Sequence, residues 1–302
     1  MELLKKGDRV AIVSPSSCIE KDALDKGIMW LKSINLDVVV MPHVYDAELY
    51  MAGTDLNRAD DVNKAFADKS IKALFCSRGG AGATKILDYL DYDLIKNNPK
   101  PVFGLSDSTA LQNALYQKSE IVSYTGFLPT YDFKKDTLDT LTFTSLTDVF
   151  SGKMQILNKG KTLNRGTAKG VLIGGTLSVL NYLCGTKYFP DLTDKILLLE
   201  DIGEKTYKID LMLNQLKQQN GFDKLKGIIF GEFTNCVNLG GTDGSIETII
   251  SRFSDDINIP VIYDFAYGHV DSRYVLPIGA EVFLDADNVV VRTPSLADIQ
   301  SF

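Results

Sequence analysis

Apolar residues in the first third of the chain fall into short runs, each followed by a stretch in which they recur every three or four positions. Arg9 to Ser14 (RVAIVS), Asp37 to Met41 (DVVVM), Ile71 to Ser77 (IKALFCS) and Val102-Phe103 read as buried strands. Between them, Lys21 to Ser33 repeats Leu24, Ile28 and Leu31 at i, i+4 and i+7, the spacing of one helix face. Ala59 to Ala67 and Thr84 to Tyr92 are helical in pattern too, with Asn97-Asn98-Pro99 as a breaker. Ser16-Ser17 with Glu20 has the spacing of a capping box for the first helix. Strands alternating with helices of this length predict βαβ crossovers and a parallel sheet.

Farther on, IVSYTGFLPTYDF is a strand followed by an aromatic-rich loop, whose Tyr124, Phe127, Tyr131 and Phe133 either line a pocket or pack at a junction. Ser151 to Arg165 is rich in Lys, Asn and Gly with little periodicity and reads as a linker between domains at 1–150 and 166–302. Past it, Lys169 to Ile173, Ile196 to Leu199, Gly227 to Phe233 and Pro260 to Phe265 are strands, and Lys205 to Gln219 is an amphipathic helix. Leu276 to Leu284 with Val289 to Arg292 reads as a closing hairpin. This half is strand-rich and mixed.

Composition narrows the function classes. The 302 residues carry a net charge of −7, which argues against nucleic acid as a partner, because such binding rests on phosphate neutralisation by Lys and Arg. No apolar run approaches the roughly 20 residues of a membrane span. Residues 1 to 16 carry a basic pair but only four apolar residues in a row, Val10 to Val13, so no signal segment is read and a cytoplasmic location is expected. Cys18, Cys76, Cys184 and Cys236 lack C-x-x-C spacing, so buried thiols are expected in place of disulfides or a metal site.

Two turns at strand ends carry candidate chemistry. In Pro101 to Leu111 (PVFGLSDSTAL) a strand meets Gly104, and Ser106-Asp107 stands where the next helix opens. The helix N-terminus offers free N–H groups to a developing anion, so Ser106 is a candidate nucleophile. Ser106 or Asp107 as a plain N-cap is the simpler reading of this stretch alone, since a nucleophile elbow wants G-x-S-x-G and Ser108 takes the last glycine's place. Arg78 to Gly82 (RGGAG) has Lys85 where a dinucleotide fingerprint needs its third glycine, and is either a tight turn or an anion cradle.

The chain has two histidines, so the search for a general base is short. His43 follows a strand without a glycine turn, which suits a solvated or capping role. His269 lies in a glycine-preceded loop after an apolar strand, and Glu200, at the carboxyl end of ILLL, is the best-placed acid to hold its tautomer. Ser106, Glu200 and His269 then follow the nucleophile-acid-base order of α/β hydrolases. From spacing alone, a ligand-binding α/β protein without such a triad ranks ahead.

Longer blocks add to this. Ser77 to Leu111, Leu172 to Thr186 (LIGGTLSVLNYLCGT), Ile196 to Leu216 (ILLLEDIGEKTYKIDLMLNQL), Tyr267 to Asp285 (YGHVDSRYVLPIGAEVFLD) and Tyr50 to Phe66 resemble the serine LD-carboxypeptidase family, which includes muramoyl-tetrapeptide carboxypeptidases and microcin C immunity peptidases. The resemblance implies an N-terminal doubly wound parallel-sheet α/β domain and a smaller C-terminal, mixed, strand-rich α/β domain facing it across a cleft. It carries the family's nucleophile onto Ser106, its acid onto Glu200 and its base onto His269. Its oxyanion-hole N–H groups fall on Gly80 and Asp107, and Arg78 is the candidate for a substrate carboxylate, with a structural ion pair as the alternative. No metal or cofactor is implied.

The expected reaction is removal of D-alanine from a small peptide, a cytoplasmic murein tetrapeptide, by a homodimer that binds neither nucleic acid nor membrane. Ala81 and Leu105 stand where the family has Tyr, and Thr176 where it has Asn. Two other functions stay open here: cleavage of a microcin-type peptidyl-aminoacyl-adenylate, for which the lone Trp30 lies in an early helix and leaves Tyr131 or Phe133 to stack on adenine, and non-catalytic solute binding.

Overall fold

The computed structural model describes residues 2–133, 137–238 and 241–299. The first half runs β1 (Arg9–Val13), α1 (Lys21–Ser33), β2 (Asp37–Val40), α2 (Asp55–Ala67), β3 (Ile71–Cys76), α3 (Ala83–Ile86), α4 (Tyr92–Asn97), β4 (Val102–Gly104), α5 (Ser108–Ser119), β5 (Ser123–Thr125), α6 (Pro129–Asp132) and α7 (Thr140–Phe150). The second runs β6 (Ile156–Leu157), β7 (Lys161–Asn164), β8 (Thr167–Thr176), α8 (Leu177–Tyr182), β9 (Lys195–Ile202), α9 (Thr206–Lys217), β10 (Gly227–Thr234), α10 (Ile246–Ser254), β11 (Val261–Tyr263), β12 (Leu276–Ile278), β13 (Glu281–Asp285) and β14 (Val290–Arg292).

Among the described residues the strands form one sheet in the order β12-β5-β4-β3-β1-β2 and a second in the order β6-β14-β13-β8-β9-β10-β11-β7. From β2 to β5 the first sheet is parallel, as its apolar runs predict. Its order reverses between β1 and β3, the doubly wound arrangement in which ligands bind beyond the carboxyl ends of the strands. The second sheet is mixed: β8, β9, β10 and β11 are parallel, while β7, β13, β14 and β6 join antiparallel.

Three local readings differ from the structure. The 151–165 stretch, expected to be a linker, supplies β6 and β7 at opposite edges of the second sheet, where polar strands are tolerated because one flank meets water. The closing hairpin is β13 with β14 alone; Leu276–Ile278 crosses back to pair with β5 in the first sheet. The capping box is absent, since Glu20 is the N-cap of α1 without a side-chain bond. The Ser17 hydroxyl is taken by Ala81 instead, accepting from its N–H at 3.0 Å.

Helix α5 lies between the two sheets, which explains its burial nearly all round and its lack of one apolar face. Asn113 exchanges two hydrogen bonds of 2.9 Å with the Gly174 backbone in β8, and the Thr109 hydroxyl accepts from Thr176 N–H at 3.0 Å. The helix that opens beside Ser106 is thereby fastened to the strand next to the one bearing Glu200.

At the end of β9, Asp201 Oδ2 accepts from Ser178 N–H at 2.8 Å in the first turn of α8, and Oδ1 accepts from Ile202 N–H at 2.8 Å. Burial pushes its carboxyl from the ordinary value of 3.8 up to about 6. The folded state thus holds this proton more tightly than the unfolded chain, a stabilisation present below about pH 4 and lost as pH rises through about 6. The stability gap between wild type and Asp201→Asn, read by denaturant unfolding, is expected to move in the variant's favour by about 2 kcal/mol between about pH 4.5 and 7.5. A gap that does not change with pH contradicts this.

Candidate active site

The turn after β4 places Ser106 at φ 66°, in the left-handed region that costs a non-glycine residue about 1–2 kcal/mol. Its carbonyl accepts from Thr109 N–H at 2.8 Å and opens α5. Neither Ser106 nor Asp107 spends its side chain as a helix cap: Asp107 occupies the N-cap position without a cap bond, and its Oδ2 accepts from Ala83 N–H at 2.7 Å. The strained backbone turns the Ser106 side chain to a cavity of about 220 Å³ that is also lined by Arg78, Gly80, Leu128, Tyr131 and His269. Gly79 admits this approach, because a Cβ there would sit 2.6 Å from Ser106 Cβ.

From the second half, β9 delivers Glu200, which is fully buried. Its Oε2 lies 2.7 Å from His269 Nδ1, and its Oε1 accepts the Thr176 hydroxyl at 2.5 Å. A carboxylate with both oxygens occupied has little freedom to turn. It favours the tautomer in which Nδ1 carries the proton and Nε2 is left as a base. Gly268, at φ 124°, lets the loop pass, since a Cβ there would meet Glu200 Oε2 at 2.8 Å.

The RGG loop leaves β3 on the other side of the cavity. Among the described residues the N–H groups of Gly80 and Asp107 have no hydrogen-bond acceptor. Arg78 donates to the Cys18 carbonyl at 2.8 Å and has no ion-pair partner among the described residues, so the structural ion pair considered for it is not formed. Of the aromatic stretch, Tyr124, Phe127 and Phe133 are buried in the core, while Tyr131 meets His269 edge-on with centroids 6.2 Å apart.

Sequence reasoning missed the struts around these groups. Arg273 is fully buried, pairs with Asp132, donates through Nε to the Gly126 carbonyl at 2.8 Å, and lies 5.1 Å from the Tyr131 ring centre. Tyr267 and Thr125 share a 2.7 Å hydroxyl bond across the two halves. An arginine three residues past the G-H-V block was the available signal for Arg273.

His43 keeps a local role, 2.8 Å from Asp46, and does not line the cavity. Among the described residues, His43, Asp60 and Asp61 bring ligand-type atoms within 4.8 Å of one another, but Asp60 is already paired with Lys64 at 2.6 Å. All four cysteines are unpaired. Among the described residues no helix is long and apolar enough to cross a membrane.

Known proteins match this arrangement along nearly the whole chain. A model of the LD-carboxypeptidase N-terminal domain matches residues 10–126 and one of the LD-carboxypeptidase C-terminal domain matches residues 169–284. A probable murein peptide carboxypeptidase of Bacillus subtilis is 32% identical over 93% of this chain and 90% of its own length. A murein tetrapeptide carboxypeptidase of Pseudomonas aeruginosa is 27% identical over 93% of this chain and 94% of its own. The crystal structure of an MccF-like protein from Bacillus anthracis superposes with a TM-score of 0.87 at 28% identity, covering 97% of this chain and 98% of that one. A strained serine at a helix start, a buried imidazole–carboxylate pair and these matches together lead to one conclusion: the chain belongs to the LD-carboxypeptidase family and is a serine-type carboxypeptidase.

Proposed function

We propose that this enzyme removes the C-terminal D-alanine from murein tetrapeptides in the cytoplasm, as part of cell-wall recycling. Ser106 Oγ attacks the carbonyl between an L-centre diamino acid and D-alanine while His269 Nε2 takes its proton, and Glu200 stabilises the imidazolium. The Gly80 and Asp107 N–H groups receive the oxyanion, a contribution on the order of 3–4 kcal/mol for each donor. The imidazolium then protonates the leaving amine, D-alanine departs, and water deprotonated by the same ring hydrolyses the acyl-enzyme. Arg78 binds the D-alanine carboxylate.

The observation that carries this reading is the left-handed Ser106 sharing one cavity with His269, whose ring is locked to Glu200 at 2.7 Å. A second reading, cleavage of a peptidyl-aminoacyl-adenylate, is favoured by the likeness to the MccF-like structure. Against it, Trp30 is packed on Phe127 and Phe133, at 5.8 and 5.4 Å, so it is not free to stack on adenine. Incubation with murein tetrapeptides and an aminoacyl-adenylate analogue, with products read by mass spectrometry, tests the two; adenylate turnover without D-alanine release overturns the first.

Ser106→Ala is expected to lower D-alanine release at least 10³-fold with the melting temperature held, and retention of more than a few per cent activity contradicts the nucleophile. Glu200→Gln is expected to lower kcat by about 10³- to 10⁴-fold with little change in KM, because the ring loses its tautomer and its counter-charge. For Arg78→Gln the expectation is a rise in KM of about 10- to 100-fold on the free tetrapeptide and almost none on one ending in D-alanine amide. An equal effect on both substrates removes Arg78 from carboxylate binding.

A further inference from the structure

The RGG loop is held by buried side chains that the reaction does not use. Arg58, 2% exposed, donates to the carbonyls of Pro15 and Gly82 and pairs with Asp55. Ser17 accepts from Ala81 N–H at 3.0 Å and donates back to the Ala81 carbonyl at 3.3 Å. Asp107, 3% exposed, accepts from Ala83 N–H at 2.7 Å, at the point where the loop enters α3. A carboxylate buried to this degree on the residue after a nucleophile is costly unless its bond matters. Its placement is particular: the backbone of Asp107 supplies one proposed oxyanion donor, and its side chain reaches the loop that supplies the other.

We propose that Asp107 is a positioning residue whose carboxylate ties the Arg78–Gly82 loop to the nucleophile turn, with Ser17 and Arg58 holding the loop's outer side. The spacing between the Gly80 and Asp107 N–H groups is then set by a tether inside one residue. Two donors must both lie about 2.7–3.1 Å from a single developing oxyanion, so loosening the tether harms the transition state and leaves ground-state binding nearly untouched. The inference rests on Ser106 being the nucleophile and these N–H groups being the oxyanion hole.

The test compares Asp107→Asn, whose amide oxygen still accepts from Ala83 N–H, with Asp107→Ser, a competent helix cap too short to reach it. With a murein tetrapeptide, Asp107→Ser is expected to lower kcat by about 10²- to 10³-fold at a KM within threefold of wild type, and Asp107→Asn to stay within about tenfold. Ser17→Ala, which frees one side of the loop, is expected to lower kcat by about tenfold at unchanged KM, and serves if Asp107→Ser does not fold. Equal losses in the Asn and Ser variants, a loss expressed in KM, or wild-type kcat in Ser17→Ala each overturn the tether. If Ser106→Ala stays active, the nucleophile assignment fails instead.

Discussion

The double hydrogen bond between the Asn113 carboxamide and the Gly174 backbone is the joint on which this molecule depends. It fixes the helix that starts beside Ser106 against the strand adjacent to the one that bears Glu200. Each half alone holds part of the candidate site: a strained serine and a glycine loop in one, an imidazole held by a carboxylate in the other. A carboxamide answered at both its donor and its acceptor gives direction as well as adhesion, which apolar packing cannot do. Thr109 to Thr176, Arg273 to Gly126 and Tyr267 to Thr125 repeat the principle around the cavity.

The candidate site is buried where it must be rigid. Glu200, Arg273 and Thr176 are buried, and each finds hydrogen-bond partners there. The ion pair of Arg273 with Asp132 is better regarded as alignment than as adhesion, since desolvation consumes much of the Coulomb gain. It fixes the loop after His269 against α6, whose Tyr131 ring stands perpendicular to the imidazole.

Much of this was legible in the chain itself, for identifiable reasons. Parallel strands buried on both faces leave apolar runs that no helix would show, so β1, β3 and the doubly wound half were readable. Turn chemistry pointed to Ser106 and the RGG loop, and strand ends pointed to Glu200 and His269, which indeed lie 2.7 Å apart. Long-range partners were not legible. Ser17 fits a local capping box, yet its hydroxyl is claimed 64 positions away. Leu276–Ile278 has the pattern of a strand, but periodicity does not say which sheet it joins. Arg58 stands four residues before Val62 and eight before Phe66, on the buried stripe of α2, but that spacing does not say which distant carbonyls a guanidinium there would reach.

The excursion of β12 into the first sheet has a consequence for how the chain is made. That sheet stays open at β5 until residue 278 has emerged, so its last ladder closes over about 150 residues of intervening sequence. Pairings this distant are slow, and an uncovered strand edge in the meantime is a surface on which other nascent chains can stack. The fragment that looks self-sufficient on paper would therefore be born with a raw flank, and the ribosome delivers its cover only about 150 residues later.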